Sequence, residues 1–271
     1  MNRNKLTILI GVVCIIAVVS MSLIGCSSNT TTQTPTTTSK PASTSSSTIN
    51  GTTTPVVGPI ARVITAGPDE NVWFTESNEN NICKLSPLTG KITVYNIPTT
   101  NAYPWGITTG SDGNVWLTES QGNKIGKISP ATGEITEYNV PTVNAGPIGI
   151  ITGPDGNLWF TEESGNKIGK ISPTTGNIIE YSLPGNFVGP YAITAGPDGS
   201  LWFTDVFENK IGKMSPTTGE ITKYGIPTDY TAPYAITSGP DGNLWFTENS
   251  KNQIGKISPA TGAITEYPIH N

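Results

Sequence analysis

Five acidic residues recur at one spacing. Glu76, Glu119, Glu162, Asp205 and Glu248 lie 43 residues apart in series. Carboxylates brought near one axis can hold a hard cation, so this column is a candidate Mg2+ or Ca2+ site. The same carboxylates can instead accept bonds from loop N–H groups, or pair with lysines such as Lys127 and Lys170. A second column with the same spacing reads Arg62, Trp105, Ile148, Tyr191, Tyr234. Aromatics with one arginine make a candidate binding surface for an extracellular peptide, glycan or protein. They can equally plug the mouth of a narrow channel. Asn101, Tyr103, Asn144, Phe187, Asp229 and Tyr230 join this set from neighbouring loops, and Val206-Phe207 is an apolar turn where the other repeats are polar. The chain has one histidine, His270, next to its C-terminal residue. The usual carrier of a general base is therefore absent from both columns.

The elements that must position these columns follow from the repeat. Trp73, Trp116, Trp159, Trp202 and Trp245 keep the 43-residue step, and so do Tyr95, Tyr138, Tyr181, Tyr224 and Tyr267. A period in this range signals stacked or radial repeats. In residues 190–232, strands are expected over 191–195, 201–205, 210–214 and 220–224. Gly196-Pro197-Asp198-Gly199 and Ser215-Pro216-Thr217-Thr218-Gly219 are turns, with proline setting φ and glycine taking positive φ. Four antiparallel strands in 43 residues make one propeller blade. The fold expected for residues 59–271 is an all-β propeller of five four-stranded blades, with a closed ring as the simplest form and an open arc with exposed edges, which would favour oligomers, as the other. The Trp and Tyr columns then serve packing between sheets, and the Asp of each Gly-Pro-Asp-Gly shapes a turn. The two turn types are nearly invariant and share one face, whereas the variable columns occupy the other.

Upstream, residues 1–26 read as a secretion signal. Arg3 and Lys5 precede an apolar run that ends in Leu23-Ile24-Gly25-Cys26. That ending resembles the lipobox of prokaryotic lipoproteins, which implies lipidation at Cys26. An uncleaved membrane anchor is the other reading. Residues 27–58, dominated by Thr, Ser and Pro, are expected to be a disordered stalk, because they cannot bury enough apolar surface. Both readings place residues 59–271 outside the cytoplasm, at the cell surface or in the periplasm. The formal charge of -5 and the lack of a basic run argue against nucleic acid. Cys83 stands where other repeats have Gly126, Gly169, Gly212 and Gly255, as a small strand residue without redox duty.

The repeat Gly-Pro-Asp-Gly-Asn-Leu-Trp-Phe-Thr-Glu, then Asn-Lys-Ile-Gly-Lys-Ile, then Ile-Thr-Glu-Tyr resembles that of the streptogramin B (virginiamycin B) lyases. The resemblance implies a seven-bladed propeller that opens a cyclic depsipeptide by elimination, using Mg2+ and a histidine base. In that family a Pro-His-Gly-Ile stretch opens a blade. The matching positions here read Pro104-Trp105-Gly106-Ile107, Pro147-Ile148-Gly149-Ile150, Pro190-Tyr191-Ala192-Ile193 and Pro233-Tyr234-Ala235-Ile236, and Arg62 occupies the first. No catalytic residue is carried over. The expected function is a lipid-anchored binding module, with a lyase using Glu or Tyr and a structural repeat protein as the alternatives.

Overall fold

The computed structural model describes residues 60–185 and 188–269. The signal and stalk over 1–58, with Cys26 and with Val56-Val57, a segment that could add a strand to lock the ring, lie outside the described residues, as do Phe187 and His270. Among the described residues, twenty strands form five separate four-stranded sheets, each in sequential antiparallel order. Blade 1 is β1 (Ala61–Ala66), β2 (Val72–Glu76), β3 (Asn81–Leu85) and β4 (Ile92–Asn96). Blade 2 is β5 (Pro104–Thr109), β6 (Val115–Glu119), β7 (Lys124–Ile128) and β8 (Ile135–Asn139). Blade 3 is β9 (Pro147–Thr152), β10 (Leu158–Glu162), β11 (Lys167–Ile171) and β12 (Ile178–Ser182). Blade 4 is β13 (Pro190–Ala195), β14 (Leu201–Asp205), β15 (Lys210–Met214) and β16 (Ile221–Gly225). Blade 5 is β17 (Pro233–Ser238), β18 (Leu244–Glu248), β19 (Gln253–Ile257) and β20 (Ile264–Pro268). The expected five four-stranded blades are present, with strand ends within a residue of those read from the repeat.

Side chains alternate along each strand, so each sheet has two packing faces. One face carries the tryptophan. Its ring stacks on the tyrosine of the fourth strand at 5.5–5.7 Å between centroids, as for Trp159 and Tyr181 or Trp202 and Tyr224. The strand-3 lysine lies over that ring, with Lys170 Nζ 5.2 Å from Trp159. The indole N–H donates to the turn aspartate four residues back, Trp159 Nε1 to Asp155 Oδ1 at 2.9 Å. Asp155 thus closes its turn and caps its blade's tryptophan. Burial pushes its carboxyl up, but the bonds from Trp159 and Asn157 hold it below the usual range.

The opposite face carries the strand-2 phenylalanine, or Leu117 in blade 2. Phe160 lies over Gly169, its cross-strand partner, where a Cβ would collide with the ring. Glycine is required there by close approach. In blade 1 Cys83 pairs with Phe74, and there Phe74 is only partly buried. The Cys83 thiol is buried and free, and burial followed by Glu76 pushes it up to about 12.

Between blades, the Trp face of one sheet packs on the Phe face of the next. Trp202 and Ile211 meet Leu244, Phe246 and Ile257, and Trp73 and Ile82 meet Val115, Leu117 and Ile128. A strand-2 threonine reaches across each joint: Thr75 Oγ1 to Trp105 O, Thr118 to Ile148, Thr161 to Tyr191 and Thr204 to Tyr234, at 2.7–3.0 Å. Consecutive inner strands pack throughout, β1 on β5, β5 on β9, β9 on β13 and β13 on β17, and among the described residues β17 and β1 make no packing of that extent. Of the two expected forms, closed ring and open arc, the described residues take the second. Ile64 of blade 1 is exposed where its counterpart Ile107 is buried, and Tyr267 of blade 5 is exposed, so among the described residues the blades stand as an open arc.

Candidate functional site

Every inner strand carries a β-bulge against strand 2. In blade 4 Pro190 pairs with Asp205 and Ile193 with Phe203, so an extra residue is accommodated between them. The same shift occurs between Ala61 and Ile64, Pro104 and Ile107, Pro147 and Ile150, and Pro233 and Ile236. Bulges re-aim side chains that regular alternation would send between sheets. The residues they re-aim are Arg62, Trp105, Ile148, Tyr191 and Tyr234.

These five come from five blades, and the structure draws them together. The Arg62 guanidinium lies 3.7 Å from the centroid of the Trp105 ring. The Trp105 edge meets Tyr191 at 5.8 Å, in a T-shaped pair that passes over blade 3. Tyr191 and Tyr234 lie 4.0 Å apart and share a short hydroxyl–hydroxyl hydrogen bond. Ile148 packs in the same cluster. Burial, then the bond with Tyr234, pushes the Tyr191 phenol well above its ordinary value. Arg62 donates to Ser77 Oγ at 2.8 Å and to Tyr103 OH at 2.7 Å, while Ser77 donates to Pro104 O at 2.5 Å. Tyr103 holds φ of 53° where blades 3 and 4 have Gly146 and Gly189. An aromatic residue in the left-handed region is uncommon, and such positions gather at binding sites. At this end of the strands Val143, Phe207 and Tyr230 are exposed, and Tyr230 is 84% exposed. Phe207 leans over Gly189, just before Tyr191. Arg62, Trp105, Ile148, Tyr191 and Tyr234 thus form a filled aromatic floor, with exposed apolar residues at the same end of the strands.

The acidic column behaves otherwise. Glu119, Glu162, Asp205 and Glu248 are buried, but each lies within its own blade. Glu119 stands against Gly122 and Gly126, and Glu248 against Gly255. The reason is alternation: Glu162 shares a face with Phe160 and Leu158, and that face looks at a neighbouring sheet rather than the axis. Among the described residues, no group of three or more His, Cys, Asp or Glu could hold a metal ion. The expectation that Glu76, Glu119, Glu162, Asp205 and Glu248 share one Mg2+ or Ca2+ is corrected on this geometry. Nor do they pair with Lys127 or Lys170, which lie over Trp116 and Trp159. Both carboxylate oxygens of Glu119, Glu162 and Glu248 lack a hydrogen-bond partner among the described residues. Burial, then Glu137, pushes Glu119 up to about 8, with Lys124 pulling the other way. Burial, then Glu180, does the same to Glu162. For Glu248, burial and Glu266 give about 7.

Of the next column only Val206 was singled out in the sequence. It reads Ser77, Ser120, Glu163, Val206, Asn249, and Glu163 is its one charged residue. Burial raises the Glu163 carboxyl, and its charge acts on Tyr191. A lone acid in an otherwise neutral column was the available signal.

With this geometry in hand, comparison with known proteins is informative. The model of the virginiamycin B lyase family matches residues 42–141. Virginiamycin B lyase from Staphylococcus aureus is similar in structure, with a TM-score of 0.76 and 40% identity, over 80% of this chain and 73% of that one. A catalytically inactive histidine-to-alanine form of the Staphylococcus aureus lyase, crystallised with quinupristin, gives 0.75 and 41%, over 80% and 72%. The nidogen/laminin complex, at 22% identity and a TM-score of 0.61 over 77% and 81%, shares the fold alone. No curated protein matches the chain. Identity of 40% over nearly three quarters of a solved lyase places this chain in the virginiamycin B lyase family.

Proposed function

We propose that this protein is a lipid-anchored, extracytoplasmic binding module of the lyase family, which holds a peptide-class ligand on its aromatic floor without opening it. The observation that carries this reading is the convergence of Arg62, Trp105, Tyr191 and Tyr234 from four blades into one cluster. A cation over Trp and a run of tilted aromatic rings suit amide planes and aromatic side chains. The column that bears histidine in the lyases bears none here. The inactive relative supports the separation of holding from cutting, since that protein was crystallised with quinupristin after losing a histidine. Lipidation at Cys26 would hold the blades at the membrane. A palmitate analogue should label the chain but not Cys26→Ala.

Quinupristin is the probe for the main claim. Tryptophan fluorescence should change saturably on titration, and Trp105→Ala should bind at least tenfold more weakly. The recovered compound should keep the retention time and fragmentation of the cyclic form. Binding indifferent to Trp105 would place the ligand elsewhere. A ring-opened product would favour the lyase reading instead. For that reading the raised carboxyl of Glu163 beside Tyr191 is the candidate base, and Glu163→Gln should then abolish ring opening.

A further inference from the structure

The chain builds the same blade-to-blade joint four times and leaves both halves of a fifth uncovered. On blade 1 the Phe-type face is open. Ile64 is 46% exposed where its counterpart Ile107 is 2% exposed, and Ile92 and Val94 are exposed beside it. At the inner joints the turn glycine of the later blade meets the tyrosine of the earlier one, Gly262 on Tyr224 for example, whereas nothing lies within reach of Gly90. On blade 5 the Trp-type face is open. Tyr267 is 40% exposed, while Trp245 and Ile254 lose the full burial of Trp202 and Ile211. Thr247 finds no carbonyl across the joint among the described residues, unlike Thr204 with Tyr234 O. Contiguous exposed apolar surface of this kind marks an interaction site.

The two open faces are complements, since each repeats one side of the Trp202–Phe246 joint. We propose that the partner is a second copy of this chain, docked head to tail, with Trp245, Ile254 and Tyr267 of one copy on Ile64, Val72 and Phe74 of the next. The contact is heterologous, so every added copy leaves one face of each kind free, and the series does not saturate at two.

The inner joints supply the test. Ser238 Oγ donates to Ala195 O at 2.7 Å, as Thr109 Oγ1 does to Ala66 O at 2.6 Å. By the repeat, Ser238 of one copy falls beside Ala66 of the next. Both are exposed, so cysteine there disturbs no core. The full-length chain in detergent, oxidised under mild conditions, should give a disulfide dimer when Ala66→Cys and Ser238→Cys are mixed. Neither variant alone should do so, and the double variant should give a ladder. Adding Ile64→Glu, on the open face, should cut the cross-linked fraction at least tenfold without changing the thermal melt of the monomer. A double variant that bridges only within one chain would show that blades 1 and 5 cover each other. No bridging at all, or bridging indifferent to Ile64→Glu, would equally overturn the proposal.

Discussion

Blades 3 and 4 place a carboxylate at the same point of strand 2 and treat it in opposite ways. In blade 3 Glu162 is buried with no partner for either oxygen among the described residues. The nearby cation, Lys167, serves Glu180 at 2.7 Å instead. Glu180 also accepts from Thr142 N and Thr142 Oγ1 at 2.8 Å, which ties the incoming loop to the blade. In blade 4 four positions have changed together. Thr142, Glu162, Gly165 and Glu180 correspond to Gly185, Asp205, Glu208 and Lys223. Lys223 now reaches Asp205 at 2.9 Å, Glu208 at 3.0 Å and Pro184 O at 2.7 Å. Gly185, with φ of 124°, leaves room for Glu208, since a side chain there would strike the carboxylate. One blade buries a carboxyl whose oxygens find no partner among the described residues, and burial favours its neutral form, while the other buries an ion pair. A repeat therefore conserves the place of a side chain more strictly than its charge.

The largest expected effect tests whether Lys223 holds blade 4 together. Lys223→Met leaves Asp205 buried without its cation and should lower unfolding stability by about 3–5 kcal/mol in a denaturant titration. The matching Lys167→Met removes a partly exposed pair and should cost about 1 kcal/mol or less. Equal losses would erase the contrast between the blades.

A second measurement concerns pH. Glu162 and Glu119 are raised from 4.5 to about 8 in the folded chain, so folding favours their neutral forms. Their contribution is fully present below pH 4.5 and is lost as pH rises through about 8. Melting temperature should fall across that window, and Glu119→Gln with Glu162→Gln should flatten the fall. A wild-type profile already flat there would mean that these acids are not buried neutral.

The smallest effect separates shared from private interactions. Asp155→Ala and Asp198→Ala each remove an indole hydrogen bond and should each cost about 1 kcal/mol. Asp198 also pairs with Lys213 at 2.8 Å, but at a partly exposed site that pair should add less than about 1 kcal/mol. A clearly larger loss at Asp198 would make blade 4 dependent on ion pairs at both ends.

The blades were legible in the sequence because their signals are local. Gly-Pro-Asp-Gly sets a turn by its own backbone preferences, and a Trp every 43 residues marks one packing position per sheet. The aromatic column was legible as a variable series at strand entries. Its convergence was legible only as the plugging alternative, and the aromatic contacts themselves were not, because they depend on a bulge that only pairing with strand 2 reveals. The acidic column was misplaced for a reason the sequence did contain. Glu162 lies two residues beyond Phe160, so pleat alternation already sends both to the same side. Closure could not be read at all, because it depends on the angle between sheets, and no spacing along the chain encodes that angle.

The open ends bear on how such a chain changes length. In a closed propeller each blade touches two others, so removing one breaks two joints and alters the angle of all the rest. Here the terminal faces are copies of the two sides of every internal joint. Deleting or duplicating 43 residues would leave one Trp face and one Phe face at the ends, as before. Residues 153–162 and 239–248, two blades apart, are identical, so the segments that build the joints are interchangeable between blades. An arc of this design can thus lose or gain blades in single steps, with no intermediate whose sheets fail to fit.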